Sequence, residues 1–227
     1  MRLLFCACRL YHHIDSDALD ALTAACCVQG YEVTVVPDLC RLAAQRDQKL
    51  AESYDWIIAC HPRAIRAMFP DFPANSFYNL RTDSAAELAE SLGVRLGDKM
   101  SEFDEIEELP DQETWIPWFP VIDMERCVNC GKCLDFCMFG VYTRDSSGQV
   151  QVTSPANCKT DCPACARMCP CQAIIFPKAK EEPINGAEPT TTARPAADDA
   201  GGGLLARLRS RNAAKPSAPP LFKDDPP

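Results

Sequence analysis

Histidine is scarce in this 227-residue chain: His12, His13 and His61 are the only three. No G-x-G-x-x-G fingerprint occurs, so no flavin- or dinucleotide-binding turn is marked. No stretch approaches the roughly 18 apolar residues of a membrane span. The opening run from Met1 to Cys8 is too short for a signal peptide, and Arg9 ends it. Positive charge is also short, with 23 Lys and Arg against 32 Asp and Glu and a formal charge of -9. A phosphate binder needs a basic stripe, so this balance argues against nucleic acid as a partner. No constellation for hydrolysis or group transfer is visible, and no catalytic residue is assigned. Together these absences predict a soluble chain in a reducing, cytoplasmic compartment.

What the chain has is cysteine, fifteen in all. In a short secreted protein that number would mean disulfides. In a reducing compartment, clustered cysteines point to metal or redox chemistry. Apolar residues make up 47% of the chain, enough for a packed core, but nineteen prolines and a polar C-terminus leave part of it outside.

Composition divides the chain into four stretches. Residues 1–97 alternate strand and helix patterns. Leu3 to Cys8 is an apolar run, and Asp15 to Asp17 supplies helix caps before a helix that Gly30 ends. Tyr31 to Val36 and Tyr54 to Cys60 read as strands, with a helical segment between them to about Glu52. Pro62 suits the first turn of a helix through Met68, Ser76 to Leu80 reads as a fourth strand, and a capped helix runs from Asp83 to Leu92. Strands alternating with helices imply an α/β domain with a short parallel sheet. Residues 98–120 form a linker. From Ser101 to Thr114 it holds seven acidic side chains and no basic one, read as a solvated spacer. Trp115 to Pro120 then reads as an apolar strap over the next domain. Residues 121–177 are a small α+β domain. Residues 178–227, rich in Pro, Ala, Gly and Thr, are expected to be a disordered tail, with Leu204 to Arg209 as one short amphipathic segment at most.

The α+β stretch carries the specific signal. Its first motif is Cys127-x2-Cys130-x2-Cys133-x3-Cys137; its second is Cys158-x3-Cys162-x2-Cys165-x3-Cys169-Pro170. Tight spacing lets three thiolates of one loop grip one face of an iron–sulfur cubane. Val141 to Val152 between the motifs reads as a hairpin. The stretch resembles a bacterial-type ferredoxin module with two [4Fe–4S] clusters. In that pattern the fourth cysteine of each run ligates the other cluster. The resemblance implies cluster I on Cys127, Cys130, Cys133 and Cys169, and cluster II on Cys137, Cys158, Cys162 and Cys165. Each four-thiolate [4Fe–4S]2+ site would add a charge of about -2. Two departures stand out. The second motif has three residues, not two, between its first cysteines, and Met138 follows Cys137 where the family usually has proline. Zinc ribbons are not spaced as two interlocked runs of this kind. Cys171 is an extra thiol, read as free or structural.

Six further cysteines lie in the α/β stretch. Cys6, Cys8, Cys40 and Cys60 fall at or just past predicted strand ends, the sheet edge where such folds place ligands. Strands about 4.8 Å apart would let those thiols converge on a cubane-sized body. Cys26 and Cys27 fall late in a helix and read as small buried groups. The set Phe5-Cys6-Ala7-Cys8, Asp38-Leu39-Cys40, Ile58 to Arg63 and Asn79-Leu80-Arg81 resembles the N-terminal domain of the A-type heterodisulfide reductase proteins and their relatives. That resemblance implies an iron–sulfur cluster beside a flavin-binding domain, although the family's flavin chemistry does not carry over to a chain without its fingerprint. Arg9 stands where the family has glycine and His61 where it has serine. Three readings stay open for the four thiols: a third cluster, a thiol or disulfide redox site, or inert cysteine. His61, next to Cys60, reads as a packing or capping residue rather than a ligand.

The expectation is therefore an electron-transfer protein with two [4Fe–4S] clusters and a candidate third, serving a larger oxidoreductase system. Redox proteins, a flavin-containing oxidoreductase among them, are the expected partners. The alternative is a redox-sensing or cluster-assembly protein that uses clusters or thiols as a switch.

Overall fold

A computed structural model describes residues 1–44, 53–73, 76–97, 107–108 and 115–189. Leu3, Leu4 and Phe5 are consecutive, apolar and fully buried. Such a run suits a strand covered on both faces, as in a parallel sheet between helices. The strand β1 (Arg2–Cys6) is the middle of five. On one side lies β2 (Glu32–Val36), on the other β3 (Trp56–Ala59) and then β4 (Phe77–Asn79). All four pair in parallel.

Helix α1 (Ser16–Val28) starts where the Asp15 carboxylate accepts the Ala18 N–H at 2.8 Å, a cap that contributes about 1 kcal/mol. It buries Leu19, Leu22 and Cys26 and packs against a later helix, Ala85–Leu92. That later helix begins in a Ser84–Glu87 capping box and stops at Gly93, whose φ of +69° suits glycine. Between them come α2 (Leu39–Ala44) and α3 (Pro62–Met68); the helix at Ala85 is α4. The continuation of α2 expected up to Glu52 lies outside the described residues.

The acidic stretch departs from expectation. Glu107–Glu108 form β5, which pairs in parallel with β2 as the fifth strand. The outer edge of β2 presents unpaired backbone groups that accept any extended segment, whatever its side-chain charge. The remainder of 98–114 lies outside the described residues.

The second half is built from small pieces. Strand β6 (Val121–Ile122) pairs antiparallel with β9 (Ile174–Ile175). Strands β7 (Tyr142–Arg144) and β8 (Val150–Val152) form the expected hairpin. Two one-turn helices, α5 (Lys132–Phe136) and α6 (Ala164–Met168), pack on each other. The Trp115–Pro120 strap joins the halves. Trp118 is buried in the second core, its ring 5.3 Å from Phe176, while the next residue, Phe119, is buried in the first.

The expected start of the tail at residue 178 is corrected. Lys178, Ala179, Ile184 and Asn185 are all buried. Phe176 N–H donates to Ile184 O at 2.7 Å. Arg63 donates to the Pro183 and Ala187 carbonyls, and Arg81 to those of Pro177 and Ala179 at 2.9 and 2.8 Å. Arg63 and Arg81, two of the donors that order this stretch, come from the first half of the chain, so its own composition does not reveal them. Residues 190–227, including the Leu204–Arg209 segment, lie outside the described residues.

Candidate metal centres

In the first motif the loop bends through positive φ at Asn129 (+55°) and Gly131 (+77°), and Gly131 caps α5. Cys133 lies in the first turn of that helix and Cys137 is its C-cap. The four residues from Cys133 to Cys137 advance about 6 Å along the axis, so Cys137 is carried away from its own loop. The second motif repeats this, with Cys165 on α6 and Cys169 as its C-cap. Because the two helices pack together, the displaced cysteines exchange places. The Cys133 thiol feels Cys169 and Cys127 ahead of Cys165 across the helix pair. The Cys158 thiol faces Cys165, Cys137 and Cys162.

Two recesses result. One is lined by Cys127, Cys130, Cys133 and Cys169, with Cys171 also on its wall. The other, about 230 Å³, is lined by Cys137, Cys158, Cys162 and Cys165 among apolar groups such as Val141 and Phe139. The enlarged loop thus still delivers Cys158 to the second set. Among the described residues, no three His, Cys, Asp or Glu side chains are close enough to hold one metal ion. The first recess opens only about 20 Å³, but in both the donor set, four soft thiolates around an apolar lining, is the one a cubane takes, whose ligands stand around a body with four corners rather than on a single ion.

Burial pushes the Cys133 and Cys158 thiols up to about 12 and that of Cys165 to about 11. Binding iron must therefore displace protons from these groups. Donors already aim at the sulfurs. Asn129 N–H lies 3.4 Å from Cys127 Sγ, Ala173 N–H 3.3 Å from Cys169 Sγ, and the Tyr142 hydroxyl 3.1 Å from Cys165 Sγ. Such hydrogen bonds favour the more negative, reduced state of a cluster.

Comparison with known proteins bears directly on this half. The profile of the 4Fe-4S binding domain family matches residues 119–142. An uncharacterized ferredoxin of Methanocaldococcus jannaschii is 46% identical over 76 residues, 33% of this chain and 50% of its own length. A second uncharacterized ferredoxin of that organism is 35% identical over 71 residues, 29% of this chain, and 91% of its length is covered. This chain belongs to the [4Fe–4S] ferredoxin family. The ferredoxin is also 36% identical over 69 residues to pyruvate synthase subunit PorD of the same organism, which is 30% of this chain and 76% of PorD. It spans only half the length of the first of these relatives. None of the three is a heterodisulfide reductase. No solved structure matches the chain.

The N-terminal thiols of this ferredoxin gather at one edge of the sheet. Cys6 ends β1, Cys8 follows it with φ of +48°, Cys40 lies in the first turn of α2, and Cys60 directly follows β3. The sheet order reverses at β1, and that switch point is where open α/β sheets place ligands. The Cys40 thiol faces Cys60 and Cys6, and the Cys60 thiol faces Cys8. Burial raises the proton affinity of Cys6, Cys40 and Cys60, to about 11 for Cys60. Leu39 N–H lies 3.3 Å from Cys6 Sγ. On α1, Cys26 is a small buried group of the first core, as expected, whereas Cys27 is only half-buried against it. His61 stands at the N-cap of α3 without a capping bond, its Nδ1 3.3 Å from the Asn79 amide.

Sequence reasoning missed the charged member of this pocket. Lys178, only 3% exposed, reaches in from the second half, forms an ion pair with Asp38, and places Nζ 4.0 Å from Cys8 Sγ. It also missed Tyr142, Tyr11 and Arg63, whose partners are all distant in the chain. Among the described residues no helix is long and apolar enough to cross a membrane.

Proposed function

We propose that this ferredoxin is a one-electron carrier with two [4Fe–4S] clusters and a third centre in its N-terminal domain. Cluster I is held by Cys127, Cys130, Cys133 and Cys169, cluster II by Cys137, Cys158, Cys162 and Cys165, and the third centre by Cys6, Cys8, Cys40 and Cys60. The observation that carries the reading is the pair of recesses, each lined by three thiols of one motif and one of the other. Each bound cluster would supply a couple between two oxidation states, tuned by burial and by donors to sulfur. The chain's own residues supply the thiolates, the amide and phenol donors, and the exclusion of water. The third centre is supported by four thiols at a sheet switch point and by the Lys178 cation beside them. A cation there offsets the negative charge that four thiolates bring.

The relation to a pyruvate synthase subunit supports a place as the electron-transfer part of a larger oxidoreductase. A flavin-containing partner is the class implied by the heterodisulfide-reductase-like pattern of residues 2–81.

Anaerobic reconstitution with iron counting and electron paramagnetic resonance tests the reading. About twelve irons per chain are expected, and about eight would remove the third centre. Cys169→Ala, though in the second motif, is expected to abolish the same signal as Cys130→Ala. If it instead abolishes the signal lost in Cys162→Ala, the crossed assignment is wrong.

A further inference from the structure

The extra residue of the second motif enlarges the loop Cys158-Lys159-Thr160-Asp161-Cys162. Asp161 takes a left-handed conformation there, with φ of +59°. That region costs a side chain energy and is entered mainly by Gly, Asn and Asp. The carboxylate reaches out of the loop: Asp161 Oδ1 accepts the hydroxyl of Tyr11 at 3.3 Å, across 150 positions of sequence.

Tyr11 belongs to the N-terminal thiol pocket. Its N–H and that of His12 both bond to the Cys8 carbonyl, at 3.3 and 2.9 Å. Lys178 Nζ, beside Cys8 Sγ, lies 5.2 Å from the centre of the Tyr11 ring. Tyr11 also lies 5.9 Å from Trp118 of the strap. Cys158 is the one motif cysteine that packs against the first core as well as the second. The enlarged loop is thus where the second thiol set touches the N-terminal pocket.

We propose that the Cys158–Cys162 loop is the bridge by which one electron passes between cluster II and the N-terminal centre, with Tyr11 and Asp161 as its positioning residues. The proposal rests on the third centre proposed above. With clusters bound, an external low-potential one-electron donor would supply one electron to cluster II, and its transfer would return cluster II to [4Fe–4S]2+ and leave the N-terminal centre as [4Fe–4S]+. No covalent bond forms or breaks. Tunnelling falls steeply with distance, so a loop held against the pocket carries this step better than a free one.

The test uses the reconstituted full chain and three variants. Asp161→Gly removes the acceptor and relieves the left-handed strain, so the loop is expected to fold with iron retained. Tyr11→Phe removes the donor and keeps the ring. Asp161→Asn keeps both the left-handed tendency and the acceptor oxygen, and serves as the conservative rescue. Two readouts are taken: the magnetic coupling between the cluster II and N-terminal signals in the fully reduced protein, and the rate of electron equilibration after flash reduction. Asp161→Gly and Tyr11→Phe are expected to lower the docked-to-undocked ratio of the loop roughly fivefold, the worth of one net hydrogen bond, and so to weaken the coupling and slow equilibration by at most that factor. Asp161→Asn is expected to match the wild type. Three signals with unchanged coupling and rate in both disruptive variants would overturn the bridge alone. Wild type with about eight irons and no third signal would overturn the third centre, and the bridge with it.

Discussion

At the scale of single residues, Tyr142 decides more than its size suggests. Burial and the neighbouring Cys165 thiol hold its phenol protonated, so it stays a donor. In the proposed cluster II, its bond to Cys165 Sγ would favour the extra negative charge of the reduced state. Tyr142→Phe is expected to lower the potential of that cluster by up to about 60 mV, one tenfold in the equilibrium constant of a one-electron couple, and to leave cluster I unmoved. A redox titration followed by electron paramagnetic resonance checks this; an equal shift in both signals would show a general loss of packing instead. Asp145 works in the same local way. Its carboxylate accepts from Ser147 N–H and Oγ, Gln149 N–H and Gln151 Nε2 at 2.6–2.9 Å. These donors, led by the Ser147 hydroxyl, hold it below the usual carboxylate range. A lowered folded value means that the support is complete above the ordinary Asp value of about 3.9 and is lost as pH falls through the lowered one. NMR titration is expected to place the Asp145 midpoint below its ordinary value, and a midpoint at or above it would contradict the geometry.

Among elements, the segment after β9 shows what a turn residue controls. Gly186 has φ of +102°, and a Cβ built there would stand 2.6 Å from Ala64 Cβ on α3. Both the backbone and the contact exclude a side chain. Gly186→Ala is expected to cost about 1–3 kcal/mol from conformation alone, with the clash adding to it. Thermal unfolding measures that cost, and faster amide exchange confined to residues 178–189 would locate it. The one-turn helices α5 and α6 carry a different lesson. Each is too short to be stable alone. Each is held by the packing of its neighbour, and the two together carry Cys137 and Cys169 into each other's sets.

For the whole molecule, the two halves are joined by buried charge. Arg63 Nε lies 2.7 Å from Asp123 Oδ2, both nearly out of solvent, and the guanidinium also bonds to carbonyls of Gln172, Pro183 and Ala187. Removing one partner of a buried pair leaves the other uncompensated. Arg63→Ala is expected to destabilise the protein by about 3 kcal/mol, toward the low end for buried pairs because Asp123 Oδ1 keeps the Glu125 and Arg126 N–H groups. Denaturant unfolding reads the magnitude. A loss under about 1 kcal/mol, the worth of an exposed pair, would show that water reaches the site.

The sequence by itself determined the local features. Asp15, Ser84 and Gly93 mark helix ends through bonds to their own neighbours, and the consecutive Leu3, Leu4 and Phe5 announce a buried strand. The spacing from Cys127 to Cys169 names the family, because three thiolates that grip one face of a cubane must come from one short loop, with two or three residues between neighbours. Only the tertiary structure decided what crosses the chain. Lys178 reads locally as the start of a polar tail, yet it is buried against Asp38 in the N-terminal pocket. Glu107 and Glu108 read as a spacer, yet they pair with β2. Asp161 reads as a spacing irregularity until Tyr11 is found opposite it. In each case the partner lies about 70 to 150 positions away. No local propensity or periodicity reaches that far, so packing alone could bring them together.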